Sequence, residues 1–406
     1  MNYTNGGVTA AKGFRAAGMH CGIRANKTKR DLALVVSDTK AACACVYTSN
    51  LVKGAPLTVT KSNVADGYAR AIICNSGNAN TCNADGIEVA EKMCALVGDT
   101  LSLDAKDVVV ASTGVIGQPL DVTPIANALP TLAGQLGYSI EDGEAAAEAI
   151  MTTDTIRKEV AVTFEIGGVT CTMGGMAKGS GMIHPNLATM LVFITTDAAV
   201  TPEMLDKALK KDVTDTFNMV SVDGDTSTND MVCLMANGAS GAPEVNAEGE
   251  DFDSFCGALR AVTMKLCREI AGDGEGATKL MECKVSGAKD KETARVVAKS
   301  IICSSLTKAA MFGADANWGR VLCAIGYSGA DVSIGTTAVS FLSSAGRVDV
   351  CERGAGIPFS EETAKKVLTE KEITILVSFA DGEGEATAWG CDLTYDYVKI
   401  NGDYRT

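Results

Sequence analysis

Short apolar runs alternate along the chain with amphipathic stretches, and this pattern predicts both strands and helices. Runs of four or five apolar residues predict buried strands at 32–36, 71–74, 108–111 and 190–194. Apolar residues at helical spacing predict helices over 86–98 and 255–270, and a run rich in Ala and Glu favours another over 145–151. Thr201-Pro202, a capping hydroxyl followed by proline, predicts one more helix start.

A β-hairpin is the clearest local prediction. Apolar residues alternate with polar or small residues over 160–166 and again over 169–173, on either side of Gly167-Gly168. Because a hairpin occurs among helices, the pattern favours an α+β or mixed α/β fold over a purely parallel doubly wound sheet. The length favours more than one domain, and we predict a main domain over 1–280 and a smaller C-terminal domain over 281–406.

Composition and charge exclude several classes of protein. Hydrophobic residues make up 46% of the chain, which is enough to build a core and excludes disorder for most of it. The net charge of −14 argues against a nucleic-acid or anionic-membrane partner, because polyanions would be repelled. No apolar run approaches the ~18 residues of a membrane span, and the N-terminus has neither the basic region nor the apolar block of a signal peptide.

Cysteine and histidine usage narrows the chemistry further. The 15 cysteines are dispersed and form no C-x-x-C motif, so neither a zinc ribbon nor a thioredoxin-type site is predicted. Dispersed cysteines in apolar runs are typical of small buried side chains in a reducing cytoplasm. Only His20 and His184 are present, which excludes a histidine-rich metal site and leaves few candidates for a histidine base.

Three polar or glycine-rich segments have a structural explanation beside a functional one. The glycines of 272–276 could cradle a phosphate, but a helix C-terminal cap explains them equally well. The segment 223–230 resembles a calcium loop, yet its twelfth position is Leu234 rather than Glu, so we predict a polar turn. Residues 112–114 follow a predicted strand and fit either a strand-to-helix turn or an anion-binding loop of backbone amides.

Thr189 lies where a glycine-rich loop, 178–181, leads through a short connection into a predicted strand. On local grounds a threonine there reflects β-propensity. A sharper interpretation starts from the shortage of histidine, because a hydroxyl is a poor nucleophile without a base. Cleavage of the Ala188-Thr189 bond would free an α-amino group with a pKa of about 7.7–8.0, and this amine could serve as that base.

Several motifs in a fixed order point to one family. They are NSGNAN (75–80), STGVIG (112–117), MTTDT (151–155), MAKGSGMI (176–183), LATML (187–191), the segment 217–230, AGDGEGAT (271–278) and FGADANWGR (312–320). Together they resemble the ornithine acetyltransferases, also called glutamate N-acetyltransferases. The resemblance runs from about Gly7 to Thr406, and the order of many motifs makes it far more specific than any one of them.

The resemblance implies a fold, a maturation step and a reaction. The fold is a layered αββα-type sandwich with a smaller C-terminal α/β domain. The precursor cleaves itself between Ala188 and Thr189 into chains 1–188 and 189–406, which stay associated, we expect as a heterotetramer with two of each. The cytoplasmic enzyme moves an acetyl group from N2-acetyl-L-ornithine to L-glutamate in arginine biosynthesis, without a metal or cofactor. Transfer from acetyl-CoA, as a second activity, is the alternative within this family.

The resemblance also assigns roles to individual residues. Thr189 is the nucleophile and forms an acetyl-enzyme, with its own α-amine as the general base, and Thr113 and Gly114 form the oxyanion hole. The substrate-binding positions are Thr152, Lys178, Thr189, Glu275, Asn401 and Thr406. Lys178 suits a substrate α-carboxylate, and Glu275 suits the side-chain ammonium of ornithine.

Some questions stay open at the level of sequence. Glutamate carries a carboxylate where ornithine carries an ammonium, so Glu275 cannot favour both, and the acceptor needs another donor. His184 precedes Thr189 by five residues, and we interpret it as a polar loop residue rather than a base. Two other protein classes remain: a self-cleaving aminopeptidase, which is expected to use Ser in place of Thr189, and an uncleaved amino-acid-binding protein. A denaturing gel separates the last class, because it would give one band instead of two.

Overall fold

The computed structural model describes residues 1–184 and 190–403, which form two mixed β-sheets with helices packed on them. In chain order the strands are β1 (Asn2–Thr4), β2 (Phe14–Met19), β3 (Leu32–Tyr47), β4 (Tyr68–Asn78), β5 (Val108–Val115), β6 (Lys158–Ile166), β7 (Val169–Lys178), β8 (Leu191–Thr196), β9 (Val220–Ser221), β10 (Met231–Ala236), β11 (Leu280–Ala288), β12 (Ala338–Ser343), β13 (Gly346–Glu352), β14 (Ala355–Gly356), β15 (Glu372–Ser378) and β16 (Gly384–Cys391). The helices are α1 (Ala55–Asn63), α2 (Gly86–Leu101), α3 (Thr123–Gly134), α4 (Ile140–Ile150), α5 (Pro202–Val213), α6 (Glu250–Gly272), α7 (Lys291–Cys303), α8 (Ser305–Phe312), α9 (Trp318–Gly326), α10 (Glu361–Thr369) and α11 (Tyr395–Gly402). No helix within the described ranges is both long and apolar enough to cross a bilayer.

Both sheets contain parallel and antiparallel pairs. The first sheet has the order β1-β6-β7-β8-β10-β3-β4-β5, and β2 also pairs with β3. Its β8–β10 and β4–β5 pairs are parallel, whereas the hairpin β6–β7 is antiparallel. The second sheet has the order β14-β13-β12-β15-β11-β16-β9, with β11–β15 and β16–β9 parallel. This mixture confirms the predicted mixed α/β class and the predicted hairpin.

The long strand β3 divides the first sheet into two facing halves. Residues 32–36 of this strand pair with β2 and β4, whereas residues 42–47 pair with β10. Side chains from β8 and β10 share one apolar cluster with side chains from β4 and β5, although other strands separate them in the sheet order. The sheet therefore bends within β3 and closes over a core between its two halves.

Helices cover the outer face of each half. Apolar side chains of α1, α2 and α3 pack against the half formed by β2 to β5. Those of α5 and α6 pack against the half that contains β6, β7, β8 and β10. The layer order is helix, sheet, sheet, helix, which confirms the αββα-type sandwich.

Helix α6 is the amphipathic helix that the apolar spacing predicts. The members of its stripe are fully buried, namely Phe255, Leu259, Val262, Leu266 and Ile270. The ring of Phe255 meets that of Phe164 edge-on at 6.2 Å, and burial of one such side chain stabilises the fold by ~1.5–3 kcal/mol. Because α6 contacts β6 and β7 as well as β11 and β16, it joins the two sheets.

The second sheet uses strands from both sides of the proposed domain boundary. Helix α7 covers β11 and β16, and α10 covers β12 and β13. Strand β9 precedes residue 280 and yet pairs with β16. The division into 1–280 and 281–406 stays a prediction.

Three polar segments extend strands that the apolar runs predict to end earlier. Residues 112–114 lie within β5 rather than in a turn, and β4 continues through Asn78 instead of ending before a polar loop. The two strand ends hold each other, because Ser112 Oγ donates to Asn75 Oδ1 at 2.6 Å. Likewise β3 continues past Val36, although residues 38–40 are exposed. The predicted ends of β4 and β5 were wrong because the two polar strand ends pair with each other, whereas β3 continues because it pairs on both sides of residues 38–40.

Candidate active site

A narrow cleft lies where the ends of β5 and β7 meet the start of β8 and the segment before β10. Its lining includes Thr113, Lys178, Gly181, Ser227, Asn229 and Asp230. The structure thus brings together two residues that the motifs single out, Thr113 and Lys178, although 65 residues separate them in sequence. Their side chains are almost completely buried.

A bulge between β4 and β5 sets the backbone beside Thr113. Gly114 has a φ of +131° within this bulge, a conformation that side-chain-bearing residues rarely adopt. A Cβ at this position would lie 2.6 Å from the amide nitrogen of Asn78 and would also overlap Gly77. Only glycine therefore allows the two strands to approach this closely.

Asn229 ties the bulge to the segment before β10. Its side-chain nitrogen donates to the carbonyl oxygens of Ala79 at 2.6 Å and Ser112 at 2.9 Å. Its side-chain oxygen accepts from the hydroxyls of Thr81 at 2.6 Å and Thr228 at 2.5 Å. Because the side chain is buried and fully paired, it fixes the peptide that precedes Thr113. Residue-by-residue reasoning missed Asn229, and its only local signal is a polar residue just before an apolar strand.

A buried ion network holds the loops on the other side of the cleft. Lys158 Nζ donates to Asp154 Oδ1 at 2.7 Å and to Asp273 Oδ2 at 2.6 Å, and its side chain is inaccessible to solvent. Asp154 accepts from the backbone amides of Thr152 at 2.9 Å and Gly179 at 2.7 Å. The network therefore fixes the backbone around both Thr152 and Lys178.

Electrostatics keep Asp154 ionised inside this network. Burial opposes ionisation, but the ammonium groups of Lys158 and Lys178 and the hydrogen bonds outweigh it, so the pKa of Asp154 lies well below its ordinary value. Its negative charge thus compensates the buried lysines without an ion pair to Lys178.

The carboxylate of Glu275 lies against Gly181, a residue that lines the cleft. The amide of Glu275 donates to the carbonyl of Ser180 at 2.9 Å, and a Cβ on Gly181 would lie 2.6 Å from Glu275 Oε1. Asn401 Nδ2 donates to Glu275 Oε2 at 2.8 Å. The structure therefore joins Glu275 to Asn401 and sets both beside the lining of the cleft, whereas Thr152 is linked to the cleft through Asp154.

Asp230 also lines the cleft, although the sequence motifs assign it no role of its own. Its side chain is buried, and its Oδ2 has no hydrogen-bond partner among the described residues. Burial raises the pKa of Asp230 well above its ordinary value, and a hydrogen bond with Ser227 and the charge of Lys178 oppose this rise only in part.

His184 lies beside a different cavity from the one that contains Thr113. Its Nδ1 is 3.1 Å from Ser221 Oγ and 3.6 Å from Cys303 Sγ. Burial, with a smaller effect of Lys299, lowers the pKa of His184 below its ordinary value. These contacts agree with a polar loop residue.

One cluster in the described part of the chain has metal-ligand spacing. The Sγ atom of Cys43 lies 3.9 Å from that of Cys45 and 3.7 Å from that of Cys233. The three thiols face the apolar core between the two halves of the first sheet, where cysteines pack as small hydrophobic side chains. They do not line the cleft.

A larger cavity lies away from the cleft, between α6 and the open face of the second sheet. Its volume is about 1000 Å³, and none of the predicted site residues that the structure describes lines it. Charges of both signs, among them Arg260, Lys284 and Glu385, line it. The chemistry therefore favours the smaller cleft as the reactive site.

Three residues of the site prediction, Ala188, Thr189 and Thr406, lie outside the described residues. Among the predicted site residues that the structure does describe, Thr113 and Lys178 give the cleft a buried hydroxyl and a buried ammonium, and Gly114 has a positive φ. The carboxylate of Glu275, paired with the amide of Asn401, lies beside them. A buried ammonium suits a carboxylate ligand, and donors on a fixed strand end suit a developing oxyanion.

The sequence is similar to one family along almost its whole length. The family described as "ArgJ family" matches residues 15–406. The chain is 49% identical over 407 residues to the "Arginine biosynthesis bifunctional protein ArgJ" of Caldanaerobacter subterraneus subsp. tengcongensis, with 100% of both chains covered. It is 46% identical over 403 residues to "Arginine biosynthesis bifunctional protein ArgJ 1" of Clostridium acetobutylicum, which covers 99% of this chain and 98% of that one.

A solved structure is also similar. It is the ornithine acetyltransferase of Mycobacterium tuberculosis complexed with ornithine, with 38% sequence identity and a TM-score of 0.43. The match covers 46% of this chain and 99% of that chain.

Proposed function

This chain belongs to the ArgJ family, and we propose that it is an arginine-biosynthesis enzyme that moves an acetyl group from N2-acetyl-L-ornithine to L-glutamate. The observation that carries the proposal is the charge arrangement of the cleft. The side-chain ammonium of Lys178 makes no hydrogen bond or ion pair with any described residue, and Glu275 lies against Gly181, which lines the same cleft. An ammonium near a carboxylate complements N2-acetylornithine, which carries a carboxylate at one end and an ammonium at the other.

We propose that the reaction begins after cleavage of the Ala188-Thr189 bond. Thr189 Oγ attacks the acetyl carbonyl while the α-amine of the same residue accepts the hydroxyl proton. Thr113 and Gly114 donate hydrogen bonds to the oxyanion, and each such donor lowers the barrier by ~2.7–4 kcal/mol. The proton then passes to the departing amine of ornithine, which leaves an acetyl ester on Thr189.

Glutamate completes the proposed cycle. Its α-amine attacks the ester carbonyl, and the released proton returns to the Thr189 hydroxyl. One cleft serves both amino acids in turn, because they share an α-amino-acid head and differ at the far end. No metal or cofactor is needed for either half of the cycle.

A second acetyl donor is the alternative function. Relatives of this chain are named "bifunctional" proteins of arginine biosynthesis, which is consistent with a second acetyl donor. Acetyl-CoA would then acylate the same Thr189. Acetylglutamate formation from acetyl-CoA and glutamate by the purified protein tests this activity directly. Absence of that product, with transfer from N2-acetylornithine intact, would leave a single activity.

The cleavage itself is tested by a denaturing gel. We expect two chains, 1–188 and 189–406, from the wild-type protein, and a single chain with no transfer from Thr189→Ala. Thr189→Ser should retain part of both activities, because it retains a hydroxyl. Normal two-chain processing of the Ala variant would place the nucleophile elsewhere.

The covalent route is tested by kinetics and mass. Initial-rate plots against N2-acetylornithine at several glutamate concentrations should be parallel, and donor alone should leave residues 189–406 heavier by one acetyl group. Thr113→Ala should lower kcat by roughly 10²-fold or more with a smaller change in KM. Intersecting lines, with no acetylated chain after rapid quenching, would instead favour direct transfer.

The assembly and location follow from the same family resemblance. We propose that two copies of each cleaved chain form a heterotetramer in the cytoplasm. We also propose that residues 1–280 and 281–406 form the two domains of the protein. Free thiols at all fifteen cysteines fit a reducing compartment. Native mass measurement tests the stoichiometry.

A further inference from the structure

Two buried groups of opposite chemical type share the cleft without pairing. Lys178 carries an ammonium, and Asp230 carries a carboxyl whose Oδ2 has no partner among the described residues. No ion pair joins the two within the described part of the chain, although the charge of Lys178 acts to lower the pKa of Asp230. An ionised carboxylate this deeply buried would be expected to pair with the nearest cation.

Burial explains why Asp230 forms no ion pair with Lys178. Its side chain is 3% exposed, and loss of solvent holds its pKa well above the ordinary range. The groups that oppose this are the Ser227 hydroxyl and the Lys178 ammonium. A neutral carboxyl is a hydrogen-bond donor as well as an acceptor, so its free oxygen can present a proton to a ligand.

We propose that Asp230 is a ligand-binding residue of this cleft, and that its protonated Oδ2 donates a hydrogen bond, beside the ammonium of Lys178, to the α-carboxylate of the bound amino acid. The identity of the ligand rests on the proposed function. The protonated carboxyl and the ammonium give two donors for the two carboxylate oxygens. An ionised Asp230 would repel the ligand and neutralise Lys178, so the neutral form leaves the full lysine charge available for binding.

The backbone holds Asp230 at the reactive end of the cleft. The amide of Met231 donates to the carbonyl of Met190 at 2.9 Å, and β10 then runs parallel to β8 in register. Asp230 is therefore anchored beside the residue that directly follows Thr189 in the sequence. The preceding residue, Asn229, is fixed by four hydrogen bonds, so the main chain at Asp230 has little freedom.

Two substitutions of Asp230 distinguish its role as a hydrogen-bond donor from a role of its carboxylate charge. Asp230→Asn has the same shape, cannot ionise and still offers an N–H donor, so its KM for N2-acetylornithine and for glutamate should stay within about threefold of wild type. Asp230→Ala removes the donor, and we expect both KM values to rise by about tenfold with a smaller change in kcat, as for a uniform binding interaction. Asp230→Leu, which has a similar shape and no polar atom, replaces the Ala variant if that variant does not fold.

A ligand without the carboxylate gives the decisive comparison. With N-acetyl-1,4-diaminobutane, which has hydrogen in place of the α-carboxylate of N2-acetylornithine, the penalty of Asp230→Ala should disappear, because the group that Asp230 contacts is absent. An Asn variant as impaired as the Ala variant would overturn the proposal in favour of an ionised carboxylate. An Ala variant with lowered kcat at unchanged KM would also overturn it.

The test stays informative if the proposed function fails. Absence of acetyl transfer by the wild-type protein, despite two-chain processing, would contradict the proposed function. Calorimetric titration of wild-type and Asp230→Ala protein with N2-acetylornithine and with glutamate would then still measure binding. Tenfold weaker binding to the variant supports the role of Asp230, and equal binding refutes it.

Discussion

At the scale of single residues, the site depends on buried charges that compensate one another. Lys158 is the centre of this arrangement, because it pairs with both Asp154 and Asp273 and its side chain is inaccessible to solvent. Removal of one partner from a buried ion pair costs about 3–5 kcal/mol, since the remaining charge stays buried without compensation. The loops that carry Thr152 and Lys178 are therefore expected to loosen when Lys158 is replaced.

Lys158→Met tests this expectation. The substitution keeps an unbranched side chain and removes the charge, and we expect the free energy of unfolding in urea to fall by about 3–5 kcal/mol. The matched control is Lys210→Met, which breaks an exposed pair with Asp206 and should cost less than about 1 kcal/mol. Equal losses in the two variants would contradict the structural role of the network.

A second residue makes stability depend on pH. Burial raises the pKa of Glu159 from 4.5 to about 7, with nearby Glu144 and Glu148 adding to the rise and Arg157 opposing it. The folded chain therefore holds this proton more tightly than the unfolded chain, so stability from this group is greatest below pH 4.5. It is lost as pH rises towards about 7.

Glu159→Gln should remove this dependence. The measurement is the urea midpoint between pH about 4 and 8, where the wild-type midpoint should fall more steeply with rising pH than that of the variant. Glu165→Gln, at an exposed position of the same strand, is the control and should follow the wild type. If the urea midpoints of the wild type and of Glu159→Gln changed in parallel with pH, the raised pKa of Glu159 would not contribute to the pH dependence of stability.

Single-residue prediction from the sequence depends on a motif that names the position, and it does not reach partners that are distant along the chain. Thr113 and Lys178 carry motif signals, and the structure places both in one cleft. Asp273 pairs with Lys158 across 115 residues, and nothing local to either one indicates the other. Asp230 precedes an apolar strand in a segment that also suits a polar turn, so burial alone distinguishes it.

At the scale of elements, the bulge between β4 and β5 sets the geometry beside Thr113. Gly114→Ala would place a methyl group against the backbone of Gly77 and Asn78, in addition to the strain of a positive φ. We expect a lower thermal midpoint and a loss of turnover of about 10²-fold or more, because the proposed oxyanion donors, Thr113 and Gly114, would move apart. The measurements are calorimetry and the initial rate of acetyl transfer.

The control for this element is Gly117→Ala. Gly117 also has a positive φ, +77°, but a Cβ there would meet nothing within 4 Å. The variant isolates backbone strain from steric overlap, and its losses should be clearly smaller. If Gly117→Ala were as damaging, strain in the loop rather than the strand approach would control the site.

Element prediction followed apolar periodicity and was limited by long-range pairing. The spacing of Phe255, Leu259 and Val262 predicts α6 because one face of this helix is buried along its length. The continuation of β3 through exposed residues 38–40 has no such signal, because this stretch joins two parts of the strand that pair with different partners, 32–37 with β2 and 42–47 with β10. The bend that produces two facing β layers is therefore a property of tertiary structure.

At the scale of the whole molecule, the proposed cleavage would divide a sheet whose strands interleave. Chain 1–188 would contribute β7 and β3, whereas chain 189–406 would contribute β8 and β10, which lie between them. Helix α6 of the second chain also packs on β6 of the first. Separation would expose this core and break strand pairing on both sides, so the two chains form one folding unit.

We therefore predict that the cleaved chains separate only when the protein unfolds. All fifteen cysteines are free, so strand pairing and packing hold the chains together without a disulfide. Size-exclusion chromatography at increasing urea should show one species up to the unfolding transition, and two species only beyond it. Loss of circular dichroism should coincide with this separation, and uncleaved Thr189→Ala serves as the single-chain control. Separation well below the transition would show that the interleaved strands do not hold the chains together.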